Sequence, residues 1–545
     1  MKKRVLFCGD FTGLSTGYAV YWREVINRLY QTGKYEIAEF ASYVHHNDPR
    51  TNNVPWHLYC NLPDKDDQAA IAEYEASNLN HFGAWRFEYV ALDFKPDIVC
   101  GIRDFWMESF IGTSPFRKCF DWMWMAPCDA EPQNETWIDV FATTDRLLTY
   151  TDWARGVIKK QAGDHINYGK AASPSAEACF VPVEDKDAHK ELFGLQGTKI
   201  IGTVMRNQRR KLYPDLFKVF RKYLDQTKEV NTYLYCHTSY PDLGWDIPAL
   251  LQENGIQHRT LFTYRCKSCG HAYPDLFKQG ISTCNACGQH SVVLAGVNNG
   301  LDSEGLAKVY NIFDVYVQYA NSEGFGMPVV EAASCGVPVM AVDYSAMSET
   351  VKRVNGIPLK VAALSKELET GCDRAIPDND YLLSKLVEFM LKPNGMRRRD
   401  GHLARQGAQE HYGSWDNVAK IWEEEIDNLD TGLHAWNCPL MIREANQNFP
   451  DNMTNEQFVN FLFAETLGQP EYVGSFMATR MLRDLNMGTS GKSQNGLYFN
   501  EDSVMFSRNH MNDFTRQHAL EHILRMVDYR NTWENQRRLS LESMS

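Results

Sequence analysis

The sequence predicts an α/β protein made of two successive Rossmann-like units, followed by a small helical region. Three observations carry this. Short apolar runs alternate with amphipathic stretches at helical spacing from Arg4 to about Ile426. The first unit opens as strand, glycine-bearing loop and helix. Charged residues stand just past the ends of several apolar runs, where α/β folds place ligands.

A chain of 545 residues has room for about three or four domains. A hydrophobic content of 44% with 12% aromatics supports large cores and excludes a disordered chain. The formal charge of −13 argues against a broad, non-specific grip on nucleic acid or anionic lipid, although a local basic patch stays open. No secretory apolar core follows Met1–Arg4, and nowhere do about 18 apolar residues run together, so no membrane span is expected. Of fourteen cysteines, ten are scattered through mostly apolar segments, as reduced buried thiols would be, and a reducing cytoplasm is the expected location.

Arg4–Gly9 reads as the first strand and Phe11–Gly17, FTGLSTG, as a polar loop. The helix over 18–31 follows, with Thr16 as its N-cap, Val20, Val25, Ile26 and Leu29 on one face, and Gly33 past its end. The loop lacks a strict G-x-G-x-x-G, so a dinucleotide reading is weak. Further buried strands end at Arg103 and Asp104, at Cys128, Asp129 and Glu131, and in the run 145–154. For Asp104 and Asp129 an ordinary loop cap stands beside a ligand role. Residues 178–185 read as a crossover, after which a second unit opens with the strand Lys199–Val204 and delivers Arg206 and Lys211, with Arg209 and Arg210 expected on a solvated basic face. The strand 231–239 ends at His237, which is unassigned. Residues 292–320 alternate strand, helix and strand, with Ser303 and Glu304 at the helix start. Glu349 precedes a later helix.

The most telling stretch is NSEGFGMPVVEAASCGVPVMAV, residues 321–342. A Gly-rich turn leads into a short helix over 328–335, with Pro328 at its first position and Gly336 past its end. The free amides of such a helix start make an anion site. Glu323 and Glu331 flank it, with seven residues between them. A buried turn with one capping Glu would explain neither carboxylate.

This string resembles the signature of retaining glycosyltransferases of GT-B fold, in particular glycosyltransferase family 4. The resemblance implies two Rossmann-like domains facing a cleft, over 1–185 and 186–410, with helices over 411–430 returning to the first. It also implies a nucleotide-sugar donor (UDP-, GDP- or ADP-linked) and no catalytic divalent metal. Residue by residue, Glu323 would sit beside the donor sugar. Gly324, Phe325, Gly326 and Met327 would offer amides to sugar and diphosphate, and Glu331 would bind the ribose. Arg206 and Lys211 would meet the diphosphate, although the family's usual Gly before that Arg is absent. Gly13, Ser15 and Gly17 would line the cleft, Gly17 on the donor side. Arg103 and Asp104 would face the acceptor, with Asp129 as base or acceptor ligand; the His common in the family is replaced here by Cys128-Asp129.

Two features depart from that pattern. CKSCG and CNACG bring Cys266, Cys269, Cys284 and Cys287 together as two Cys-x-x-Cys knuckles with fourteen residues between them, the spacing of a structural zinc ribbon inserted over 262–292. Four thiolates leave no open position, so catalysis by this metal is not expected. Residues 431–545 read as a helical accessory domain.

The acceptor is the least specified element. The chain is similar in general character to glycosyltransferases of large bacteriophages, which implies 5-hydroxymethylpyrimidine in duplex DNA as acceptor, in a host cytoplasm. A cell-surface or capsular glycan is the alternative, and a non-catalytic zinc-ribbon binding protein on a transferase-like scaffold is the alternative of another class. The first helix has little basic excess, which disfavours a membrane acceptor. Nothing in the sequence sets the oligomeric state.

Overall fold

The computed structural model describes residues 2–431 apart from 113, 115, 297 and 298, together with Thr454 and Gln457. The expected helical domain over 431–545 lies almost wholly outside the described residues. Seven strands, β1 (Arg4–Asp10), β2 (Glu36–Ser42), β3 (His57–Cys60), β4 (Ile98–Gly101), β5 (Asp121–Ala126), β6 (Arg146–Thr149) and β7 (Tyr168–Ala171), form one sheet in the order 3-2-1-4-5-6-7. All its pairings are parallel. β4 and β5 are buried along their whole length, which is why their sequences are continuous apolar runs rather than alternating ones.

The second sheet contains β8 (Lys199–Val204), β9 (Thr232–His237), β10 (Thr260–Cys266), β14 (Val315–Gln318), β15 (Val339–Val342) and β16 (Ile357–Leu359), in the parallel order 10-9-8-14-15-16. Its edge is extended by β11 (Ala272–Leu276), β12 (Ser282–Thr283) and β13 (His290–Leu294), the strands of the cysteine knuckles. A hairpin of β17 (Val361–Lys366) and β18 (Asp373–Pro377) stands apart from both sheets.

Both sheets reverse direction next to their first strand, between β1 and β4 and between β8 and β14. Crevices open at such switch points, outside the carboxyl ends of the strands. The loops after β1, β4, β8 and β14 therefore meet in one place.

The chain ends its described course by returning to the first sheet. Helix Trp415–Asp427 packs on helix Gly17–Gln31, and Trp422 is fully buried against Trp22 with ring centroids 4.9 Å apart. Trp422 Nε1 donates to Tyr21 Oη at 2.8 Å. Trp22 in turn lies so close to β1 that a Cβ on Gly9 would stand 2.4 Å from its ring, so only glycine fits there. Lys3 Nζ donates to the carbonyls of Ile426, Asp427 and Leu429, tying the helix end to the first strand.

Truncating Trp422 leaves a large void and removes the donor to the buried Tyr21 hydroxyl, which keeps only its bond to the Ala172 carbonyl. Trp422→Ala is expected to lower unfolding stability by about 3–5 kcal/mol, read as a shift of the urea midpoint followed by far-UV circular dichroism.

Candidate functional site

The two switch points enclose a cleft of about 1630 Å³. Its first wall comes from the loop after β1. Thr16 accepts from the Ala19 amide as the helix N-cap and donates to Asp10 Oδ2 at 2.7 Å. Arg23 pins the same loop by donating to the carbonyls of Thr12 and Leu14 at 3.3 and 3.2 Å. Ser15 and Gly17 line the cleft as expected from the sequence, together with Asp10, Thr16 and Tyr18. Gly13 is not among the lining residues; it packs over the Phe11 ring.

Asp104 and Asp129 both line the cleft. Burial, with the nearby Asp129 charge adding to it, pushes Asp104 up to about 6. Tyr18 Oη lies 3.4 Å from Asp104 Oδ1. Asp129 pairs with Arg374 of β18 at 2.9 Å and accepts from Ser322 Oγ at 3.3 Å, so it ties the two halves together. Phe105, Trp106 and Trp137 give this wall an aromatic face, with Phe105 and Trp137 stacked at 4.6 Å.

Arg103 corrects the expectation from sequence. Its side chain is fully buried and faces the interior, where it pairs with Glu108 at 2.8 Å and donates to Ser42 Oγ and the Phe82 carbonyl. A charge at a strand end reads the same in sequence whether it turns outward or inward; only the buried partner Glu108, five residues on, separates the cases.

On the second wall Glu323 is 6% exposed and is the hub of a polar cluster. Its Oε1 receives the Lys211 ammonium and the Gln318 amide, the latter at 2.6 Å, and its Oε2 pairs with Arg210 at 3.3 Å. Its own amide donates to Ser345 Oγ at 2.9 Å. Burial, with the Arg210 charge adding to it, pulls Lys211 below the ordinary lysine range, and the Glu323 carboxylate is the anion placed against it.

The basic residues after β8 divide differently from the sequence expectation. Arg206 reaches the cleft rim, but its guanidinium is engaged by Asp242 at 2.9 and 3.0 Å. Arg210, expected on a solvated face, turns into the cleft beside Glu323. Arg209 is not among the lining residues. The bridge between Lys211 and Ala320 sets this orientation by pairing the loops after β8 and β14, a non-local contact that no local pattern reveals. His237 is held by Thr263 Oγ1 at 2.8 Å, and burial lowers it to about 4, so it is a neutral structural residue.

Gly326 precedes helix Met327–Ser334 with φ of 89°, a left-handed conformation that favours glycine. Gly324, Phe325, Met327, Pro328 and Glu331 line the cleft; Gly326 itself does not. Glu331 accepts from Tyr310 Oη at 2.7 Å, and burial pushes it up to about 7 against the pull of that bond. Glu349 lies outside the cleft and accepts from the Asp152 and Trp153 amides at 3.3 and 2.6 Å, capping a helix of the first half.

The structure superposes on a sucrose-phosphate synthase from Thermosynechococcus elongatus with a TM-score of 0.53 at 16% identity, covering 78% of this chain and 98% of that one. It superposes on Anabaena HepE, determined with UDP and glucose, with a TM-score of 0.54 at 11% identity, covering 78% and 100%. The fold is GT-B. Residues 296–382 match the family model described as Glycosyl transferases group 1, so this GT-B chain carries that family's segment across β14, the Glu323 turn and the helix of Glu331. An uncharacterised glycosyltransferase of Methanocaldococcus jannaschii is 31% identical over 133 residues, 24% of this chain and only 29% of that protein.

Away from the cleft, the four knuckle thiols lie within 4.8 Å of one another. The Cys266–Cys287 and Cys269–Cys284 sulfurs are each 3.7 Å apart. A tetrahedral ion with bonds of about 2.3 Å spaces its sulfurs by about 3.8 Å, so the four residues fit a Cys₄ centre. Among the described residues no helix is long and apolar enough to cross a membrane.

Glu331 generates a pH prediction. Its folded value, about 7, lies above the ordinary glutamate value of 4.5, so the native state holds an extra proton between them. The stability this adds is complete below the unfolded value and is lost as pH rises through the folded one. Wild type should therefore lose stability relative to Glu331→Gln between pH 5 and 7.5, read from paired urea midpoints; parallel curves would contradict the assignment.

Proposed function

We propose that the chain is a retaining glycosyltransferase that moves a sugar from a nucleoside-diphosphate donor to a hydroxyl acceptor. The observation that supports this most is the Glu323 cluster at the second switch point, facing an acidic and aromatic wall at the first. The donor lies along the turn over 324–327, with its ribose at Glu331 and its sugar at Glu323. Lys211 and Arg210 stabilise the diphosphate as it leaves, because fixed cations in a cleft hold developing charge better than water does. Arg206 acts at the rim once the diphosphate competes with Asp242. UDP and glucose in the Anabaena HepE structure support a donor of this class.

The sugar–phosphate oxygen bond breaks as the acceptor oxygen bonds to the same carbon on the same face. The acceptor proton passes to the departing diphosphate, so no strong base is required. Asp104 and Asp129 orient the acceptor hydroxyl. Trp106 and Trp137 offer faces for a flipped 5-hydroxymethylpyrimidine of DNA, our first acceptor reading. The two carboxylates beside them repel phosphate but accept from sugar hydroxyls, which favours a glycan as the second reading. Cys266, Cys269, Cys284 and Cys287 hold one structural zinc, which supplies folding energy rather than chemistry.

Two experiments test these assignments. UDP-, GDP- and ADP-sugars are incubated with 5-hydroxymethylcytosine duplex DNA or a glycan panel, and products are read by mass spectrometry. Glu323→Gln should lose about a hundredfold or more in turnover while keeping its thermal unfolding profile; unchanged turnover would remove Glu323 from the mechanism. For the metal, the purified protein should contain about one zinc per chain. Under about half an equivalent, with Cys266 and Cys284 reacting freely with thiol reagents, would exclude the centre.

A further inference from the structure

The cysteine ribbon is not an appendage hung from a loop. β10 serves two structures at once. Its first half pairs in parallel with β9, through Thr260, Leu261 and Phe262, as part of the donor-side sheet. Leu261–Arg265 also pair antiparallel with β11, and Tyr264–Cys266 pair antiparallel with β13, so the strand ends on the first metal ligand, Cys266. The residue before that ligand, Arg265, reaches out of the ribbon. Its Nη1 donates to the Gly300 carbonyl at 2.8 Å, and its own carbonyl accepts from Asn299 Nδ2 at 3.3 Å.

The segment held this way leads directly into the cleft wall. Asp302 accepts from the Gly305 amide at 2.8 Å as the N-cap of helix Ser303–Tyr310, and Leu301, Asp302 and Ser303 all line the cleft. Ser303 Oγ donates to Glu177, which pairs with Arg23 of the first half at 3.2 Å. The last residue of the same helix, Tyr310, is the group that holds Glu331. One short helix thus presents its start to the cleft and its end to the carboxylate assigned to the ribose. A cavity of about 310 Å³ separates the ribbon from that helix, with Arg265 among the residues lining it.

We propose that the ribbon is a positioning element of the donor site: the metal-closed knuckle fixes Arg265, and Arg265 fixes the segment from Asn299 to Ser303 that forms the nucleoside wall. Arg265 is a positioning residue, since it acts through Gly300 and Asn299 rather than on the substrate. This rests on the donor reading given above.

The test uses the full-length, zinc-loaded protein and Arg265→Met, which keeps the aliphatic stem and removes the guanidinium. Metal content is measured first, so that only zinc-retaining protein is compared. Hydrogen exchange of the amides over 302–306 is followed without nucleotide, and UDP affinity is measured by calorimetry. Exchange should rise in the variant, and UDP affinity should fall by about tenfold. The donor KM should rise alike while kcat at saturating donor moves less than about twofold, the pattern of lost binding rather than lost chemistry. Arg265→Lys, which can still donate to Gly300, should recover part of the affinity. Asn299→Ala removes the second bond of the tie, the one to the Arg265 carbonyl, and should shift exchange and affinity in the same direction.

Unchanged exchange and unchanged UDP affinity in zinc-retaining Arg265→Met would overturn the proposal. Raised exchange with unchanged affinity would overturn it too, because the segment would be tied to the ribbon yet play no part in donor binding. Wild type that binds no nucleoside diphosphate would instead overturn the donor reading, and the exchange measurement, which needs no ligand, keeps the two failures apart.

Discussion

The site depends on holding one carboxylate where water barely reaches it. Glu323 sits in the turn between β14 and helix Met327–Ser334 with 6% exposure, and leaving it unpaired there would be costly. Lys211, Arg210 and Gln318 together satisfy its two oxygens. Two of these partners come from the loop after β8 and one from β14, so the cluster forms only when both strands are in register. The switch point between those strands is therefore locked by the same contacts that build the site. Removing one partner leaves the others mispaired, which couples local geometry to the whole second sheet.

The fold was largely legible in the sequence because its signals are local. The strand over 199–204 and the helix over 17–31 follow from apolar runs, caps and glycine stops, and their boundaries hold to within a residue. The turn before Glu331 was legible for the same reason: glycine and proline at fixed spacing constrain its backbone. The matched cysteine knuckles likewise converge, with their sulfurs within reach of one ion.

What was not legible depended on which way a side chain turns. Arg206, Arg209 and Arg210 are nearly equivalent in sequence, and their roles are assigned by partners distant in the chain: Asp242 takes Arg206, whereas Glu323 draws Arg210 inward. Arg103 and Asp104 are neighbours, yet one enters the core and the other the cleft. Arg374 and Glu177 carried no motif at all. They matter because the hairpin and the crossover bring them to the cleft from far along the chain. Alternation at a strand end decides such cases, and a shift of one residue reverses them.

The return of helix Trp415–Asp427 to the first half has a mechanical consequence. Among the described residues the polypeptide crosses between the halves twice, once near residues 180–186 and again near residues 412–415. Any opening of the cleft has to part the ion pairs that bridge the halves, Asp129 with Arg374 and Asp152 with Arg353. Those ion pairs join the two halves, and the tryptophan-packed helix anchors the returning chain on the first.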